Sequence, residues 1–281
     1  MAFPGKIRLA ALDMDGTLLN TNHETTPYTR AVLRRAAQAG GVLALSTGRC
    51  LSELRDHLAA MDGVRYVIGE SGGYLYDAHE DRMLFKIALS DGAVDAVLDA
   101  ARACGALLQC LIDNQSFMEN RPDEALRAFH ILDFAPVFRA GSIYVDDLYA
   151  LARERRGKVG KIMVYFTCDS DRQRFLGMVA GLDVAITDSI GVGLEISPPE
   201  ATKARGLHRL CDYLGIPIRE TMAVGDGGND LDIMGAAGLS VAMGNAIEAV
   251  RALADVETED CDHDGAARAI QRYMLGETPD P

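Results

Sequence analysis

Short runs of apolar residues separated by amphipathic stretches dominate both ends of the chain. Residues 7–13 (IRLAALD) read as a buried strand, and residues 27–39 (PYTRAVLRRAAQA) as a helix opened by Pro27 and closed by Gly40-Gly41. Residues 42–46 (VLALS) predict a second strand, residues 51–61 a second helix and residues 65–68 (RYVI) a third strand. Strands without a polar face need cover on both sides, so their alternation with helices predicts βαβ units and a parallel sheet. The last third repeats the theme. It predicts a helix over 202–214, strands at 221–225 (TMAVG) and 239–242, helices over 230–237, 246–253 and 264–274, and a fraying tail at 276–281.

The middle of the chain has a different rhythm. A helix over 90–104, opened by Ser90-Asp91, precedes strand-like segments at 106–112, 159–166 and 183–187, interleaved with helical 123–133 and 169–180. The pattern predicts an α/β fold, with a Rossmann-like parallel sheet core built from residues 1–83 and 192–281. Residues 84–191 then form an inserted α+β cap. No internal repeat and no low-complexity segment interrupts this plan.

Composition narrows the function. A chain of 281 residues suits about two domains, and 48% apolar with 25% charged residues excludes a fibre or a disordered tail. Lys and Arg number 28 against 41 Asp and Glu, a net charge of −13. So negative a surface repels phosphate backbones and anionic lipid heads, which argues against nucleic-acid and membrane partners. A small phosphorylated metabolite stays possible if the site has its own positive charge. The six cysteines (50, 104, 110, 168, 211, 261) contain no C-x-x-C pair. The first apolar run meets Asp13 and Asp15, which a signal peptide would not tolerate, and no run reaches the ~18 residues of a membrane span. Reduced thiols in a cytoplasmic protein are therefore expected. Nothing in the sequence speaks to oligomeric state.

Four segments could carry chemistry, and each falls at the end of an expected strand or the start of a helix. Asp13-Met14-Asp15-Gly16-Thr17 sets two carboxylates two residues apart after a buried strand, which is costly unless something neutralises them. An EF-hand is excluded, because the glycine it needs at its sixth position falls on Leu18, or on Leu231 when counted from Asp226. An aspartate nucleophile attacking phosphorus, with a second Asp as acid and then base, fits instead. Ser46-Thr47-Gly48-Arg49 offers donors to a phosphoryl oxygen, although a strand-end hydroxyl is commonly just a helix cap. Lys203 sits in the first turn of its helix against the dipole, so something must compensate it. Gly225-Asp226-Gly227-Gly228-Asn229-Asp230 suits a hard cation with oxygen ligands, Mg²⁺ first. It is no dinucleotide fingerprint, since the third glycine position holds Asp230, and there is no Walker A sequence. Gly69-Glu70-Ser71-Gly72-Gly73 matches a nucleophile elbow, but β-prone Tyr74-Leu75-Tyr76 follows where a helix is required. The six histidines form no metal-spaced pair beyond a loose Cys261/His263 set and read as surface or packing residues.

In their residues and their order, the four segments resemble the motifs of the haloacid dehalogenase superfamily of phosphohydrolases. The flanking text, IGESGG-YLYD and LEISPPEATKARGL, is similar to the Cof-type, class IIB branch with a C2 cap. Ser71 departs from it, since that branch usually has Asn there. The resemblance implies roles. Asp13 attacks phosphorus, Asp15 is acid and then base, and Thr47, Gly48 and Lys203 hold the phosphoryl group. Asp226, Asp13 and the Asp15 carbonyl bind Mg²⁺, Asn229 contacts substrate, and Asp230 supports the cluster from behind. Sugar phosphates are that branch's usual substrates, and the cap selects among them. A phosphomutase of the same superfamily would use the same Asp pair. A phosphoryl-accepting receiver module is a rival from another class, but Asp15 and the insert count against it.

Overall fold

The structure, a computed structural model, describes residues 6–278. In chain order the strands are β1 (Leu9–Leu12), β2 (Val42–Ser46), β3 (Tyr66–Gly69), β4 (Tyr74–Asp77), β5 (Arg82–Lys86), β6 (Leu107–Ile112) and β7 (Gln115–Glu119). They continue as β8 (Ser142–Val145), β9 (Val159–Tyr165), β10 (Ala185–Asp188), β11 (Leu194–Ser197), β12 (Thr221–Gly225), β13 (Leu239–Ala242) and β14 (Val256–Glu257).

The chain divides into two units. One runs to Arg49, takes up again over Arg55–Lys86 and resumes at Thr202; the other holds Cys50–Leu54 and Ile87–Ala201. The first unit is an eight-stranded sheet in the order β14-β13-β12-β1-β2-β3-β4-β5. From β14 to β3 every pairing is parallel, and β4 and β5 add an antiparallel hairpin at the edge. β1 lies in the middle, pairing Leu9 with Thr221 on one side and with Val42 on the other. The mainly apolar runs expected at 42–46, 221–225 and 239–242 are strands with those bounds, as suits strands covered on both faces of a parallel sheet. Active sites of open parallel sheets lie beyond the carboxyl ends of the strands, near where the order reverses. Here that place is the ends of β1, β2 and β12.

The second unit is a six-stranded sheet in the order β10-β11-β9-β6-β7-β8, antiparallel except for β7 with β8. Helices Asp91–Ala103, Leu148–Glu154 and Asp169–Val179 supply Val94, Val97, Leu98, Leu148, Ala152 and Phe175 to a core against Cys110, Ile162 and Val164. A second apolar cluster joins Leu107, Met163 and Tyr165 to Leu126, Phe138 and Cys50.

The seams differ from those read in the sequence. The first unit keeps β5 through Lys86, and the second extends to Ala201, because Leu194–Ser197 is a strand paired with β9 and β10. The helix expected over 51–61 is broken for the same kind of reason. Cys50–Leu54 belongs to the second unit, so only a short turn at Leu51–Glu53 and the helix Arg55–Ala60 form. The helix expected over 123–133 stops at Ala128, and His130 follows in the left-handed region (φ 60°). Of the tail, Gly276 closes the last helical turn at φ 71° and Glu277 N donates to Gln271 O, whereas 279–281 lie outside the described residues. All six cysteines are free thiols, five of them buried. Among the described residues no helix is long and apolar enough to cross a membrane.

Candidate active site

Asp13 follows directly on β1, and its backbone N–H donates to Val224 O of β12, which fixes it at the strand end. Its side chain is buried and accepts a hydrogen bond of 2.6 Å from Lys203 Nζ through Oδ1. Lys203 opens the helix Lys203–Leu214, capped by Thr202, whose Oγ accepts from Arg205 N. An ammonium 1% exposed at a helix N-terminus needs anionic partners. It has two, because Nζ also donates to Asp230 Oδ1 at 2.6 Å. The other Asp230 oxygen accepts from the backbone N–H groups of Asp226 and Gly227, both at 3.1 Å, and so shapes the loop after β12.

Carboxylate oxygens of Asp13, Asp226 and Asp230 all lie within 4.8 Å of one another. Three acids face one lysine, and the electrostatics show it. Burial pushes the Asp13 carboxyl up to about 7 against the pull of Lys203, with Asp230 and Asp226 raising it further. Asp226 is raised to about 6, again by burial first and then by Asp230. Lys203, between two carboxylates, is held firmly protonated despite its burial. The donor set is oxygen only, and the cluster carries more negative charge than Lys203 can balance. It therefore fits a hard divalent cation of the Mg²⁺ type. Asp230 is the most heavily engaged, with two N–H donors on Oδ2 and the Lys203 ammonium on Oδ1, so Asp13 and Asp226 are the side chains better placed to hold such an ion.

Asp226 is gripped from two loops. Thr17 Oγ1 donates to its Oδ1 at 3.1 Å, and Asn245 Nδ2 donates to its Oδ2 at 3.3 Å. Gly16 passes close by in the left-handed region (φ 76°), and a Cβ there would sit 2.5 Å from Asp226 Oδ2. Only glycine fits both the turn and the approach.

Asp15 is placed apart from the acidic trio. Its carboxylate is half-exposed and held in a two-pronged ion pair by Arg49, with Nε at 3.0 Å and Nη2 at 2.6 Å. Thr47 lies buried at the end of β2; its N–H donates to Ile68 O, and its Oγ1 accepts from Arg49 N at 3.3 Å. Gly48 lies between them in sequence. Asn229 is exposed on the short turn Gly228–Asp230. Ser71 sits in a tight turn at φ 57°, followed by β4 rather than a helix, so the nucleophile-elbow reading fails on backbone grounds.

The family profile described as haloacid dehalogenase-like hydrolase matches residues 10–270. The chain belongs to this family. It is 32% identical over 244 residues to the HMP-PP phosphatase of Cronobacter sakazakii, an alignment that covers 85% of each chain. A haloacid dehalogenase-like hydrolase from Bacteroides thetaiotaomicron superimposes with a TM-score of 0.82 at 26% identity, covering 95% of this chain and 99% of the other. A subclass IIB sugar phosphatase of the same superfamily shares the fold, with a TM-score of 0.78 at 21% identity over 95% and 98% of the two chains. The resemblance carried by the four motifs therefore holds, and so does the reading of a parallel-sheet core with an inserted α+β unit. Sequence reasoning assigned nothing to Thr17 or Arg49, although it quoted both within motifs. It missed Asn245 altogether. A lone Asn in a turn has no spacing to announce it; its one clue was its place just past the carboxyl end of a buried strand.

Proposed function

We propose that the chain is a Mg²⁺-dependent phosphomonoester hydrolase acting on a small phosphorylated metabolite through an aspartyl-phosphate. The observation that supports this best is the buried Asp13–Lys203–Asp230 chain beside Asp226, at the carboxyl ends of β1 and β12. Such a cluster is poorly stable for its own sake. An Asp13 carboxylate oxygen attacks phosphorus as the bond to the leaving oxygen breaks, and Asp15 passes its proton to that oxygen. Water then attacks the acyl-phosphate while Asp15 takes up a proton, freeing inorganic phosphate and restoring Asp13. Lys203 has three N–H donors and spends two on Asp13 and Asp230, so one remains for a phosphoryl oxygen. The Thr47 hydroxyl accepts from Arg49 N and keeps its proton to donate, with Gly48 beside it and Asn229 toward the substrate.

Bound at Asp13, Asp226 and the Asp15 carbonyl, Mg²⁺ would offset the negative charge on the phosphoryl group and on the nucleophile. Asp13 and Asp226 gain most from it, since burial keeps both partly protonated near neutral pH. Asp15 must leave the Arg49 fork, or share it, to reach a leaving oxygen. We assign selection of the leaving group to the second unit, and place the enzyme in the cytoplasm. The HMP-PP phosphatase relative is consistent with a small phosphorylated metabolite as substrate.

The test is hydrolysis of p-nitrophenyl phosphate with Mg²⁺, followed by excess EDTA. Turnover should stop with chelation and return with Mg²⁺. Undiminished turnover in EDTA would sink the metal assignment. Activity retained by Asp13→Asn with an intact circular dichroism spectrum would sink the nucleophile.

A further inference from the structure

We propose that Asn245 is a positioning residue that sets divalent-cation affinity by clamping Asp226 to the Gly16 turn. The inference rests on the phosphatase reading above and extends it to a residue outside the four motifs. Asn245 Nδ2 donates both to Gly16 O at 2.9 Å and to Asp226 Oδ2 at 3.3 Å. Its orientation is settled by its other end, since Oδ1 accepts from Cys261 N at 3.0 Å. The oxygen is thus engaged and the amide nitrogen faces the carboxylate. An amide N–H₂ has no lone pair to offer a hard cation, so Asn245 acts through Asp226 rather than as a ligand.

The turn that carries Asn245 is itself pinned. Met243 N donates to Gly225 O, Ile247 N to Asp226 O, and Gly244 N to Glu259 O, all between 3.0 and 3.1 Å. The same segment therefore fixes the backbone of Asp226 and one of its carboxylate oxygens. Thr17 holds the other oxygen at 3.1 Å. Each oxygen keeps a free lone pair, so the grip orients the carboxylate without filling it. By holding the Gly16 carbonyl, Asn245 also restrains the loop whose preceding residue is Asp15. Groups that orient a ligand in this way typically alter metal affinity by ~10–100-fold when removed.

The experiment is calorimetric titration of Mg²⁺ into the full chain without substrate. It compares wild type, Asn245→Ala, Asp226→Asn and the double variant, with the melting temperature of each metal-free protein. Asn245→Ala should weaken binding by ~10–100-fold with little change in metal-free melting, and should add nothing to Asp226→Asn. Asn245→Ser, too short to reach Asp226, should behave like the alanine variant. Wild-type affinity in Asn245→Ala beside impaired Asp226→Asn would overturn the clamp and spare the phosphatase reading. Additive losses, or a metal-free protein that melts far below wild type in both Asn245 variants, would reduce Asn245 to a general structural role. No Mg²⁺ uptake by wild type would overturn the clamp together with the metal assignment beneath it.

Discussion

Replacing Asp13, the nucleophile proposed above, should strengthen the metal-free fold. Asp13 is buried, and its carboxyl is pushed from the ordinary value of 3.8 to about 7 in the metal-free protein. A group raised in this way favours the folded state fully below its unfolded value, and the benefit disappears as pH rises through the folded one. At ~1.4 kcal/mol for each pH unit between the two, the ionised Asp13 costs at most about 4 kcal/mol above pH 7. Asp13→Asn keeps the shape, leaves an oxygen for Lys203 and carries no charge, while Lys203 stays paired with Asp230. In EDTA at pH 8 the variant should exceed wild type by up to ~4 kcal/mol, on the order of 10 °C in melting temperature for a chain this size. The gap should close as pH falls toward 4. Part of the gain comes through Asp226, itself raised to about 6, because its carboxylate repels an ionised Asp13 and no longer meets that charge in the variant. Thermal melts from pH 4 to 8 measure this. A variant less stable than wild type at pH 8, or a gap that ignores pH, would show that Lys203 repays the burial of Asp13 in full.

Lys203→Met should remove turnover and destabilise the metal-free protein at neutral pH by ~3–5 kcal/mol, because buried Asp13 and Asp230 lose their shared cation; urea unfolding gives the number. Asp15→Asn should lower kcat/KM for a sugar phosphate ~10²–10⁴-fold but far less for p-nitrophenyl phosphate, whose leaving group needs no proton. Equal losses would withdraw the acid role. Gly16→Ala should weaken Mg²⁺ binding measured by calorimetry, since its Cβ would meet Asp226 Oδ2 at 2.5 Å, and should add ~1–2 kcal/mol of backbone strain at φ 76°.

The parts of the molecule that could be read from sequence are those where burial dictates residue type. VLALS, TMAVG and LSVA are strands over the expected residues because each is buried on both faces. QSFME, SIYV and LEIS in the second unit were not anticipated as strands. They mix polar and apolar residues on an antiparallel sheet, and so short a run is ambiguous without its partner strand. The site divides similarly. Asp13, Lys203, Asp226 and Asp230 had spacing and strand-end position to mark them, and the structure brings all four together. The Arg49 grip on Asp15 spans 34 residues, and the Asn245 contact with Gly16 spans 229. Only the folded sheet brings such partners side by side, so no local pattern encodes them.

The second unit is not a cassette. Cys50 lies fully buried in its apolar cluster, Ser52 N donates to Asn114 O, and Glu53 accepts from Gln109 at 3.4 Å, yet these residues are encoded between β2 and the helix that follows. A gene fragment spanning 87–201 would express a protein with a slot for five residues it does not contain. Deleting the same span would strip Cys50, which follows Arg49 directly in the chain, of the apolar cluster that buries it. Swapping this unit between relatives therefore calls for two exchanged segments, with the small one chosen to match the large.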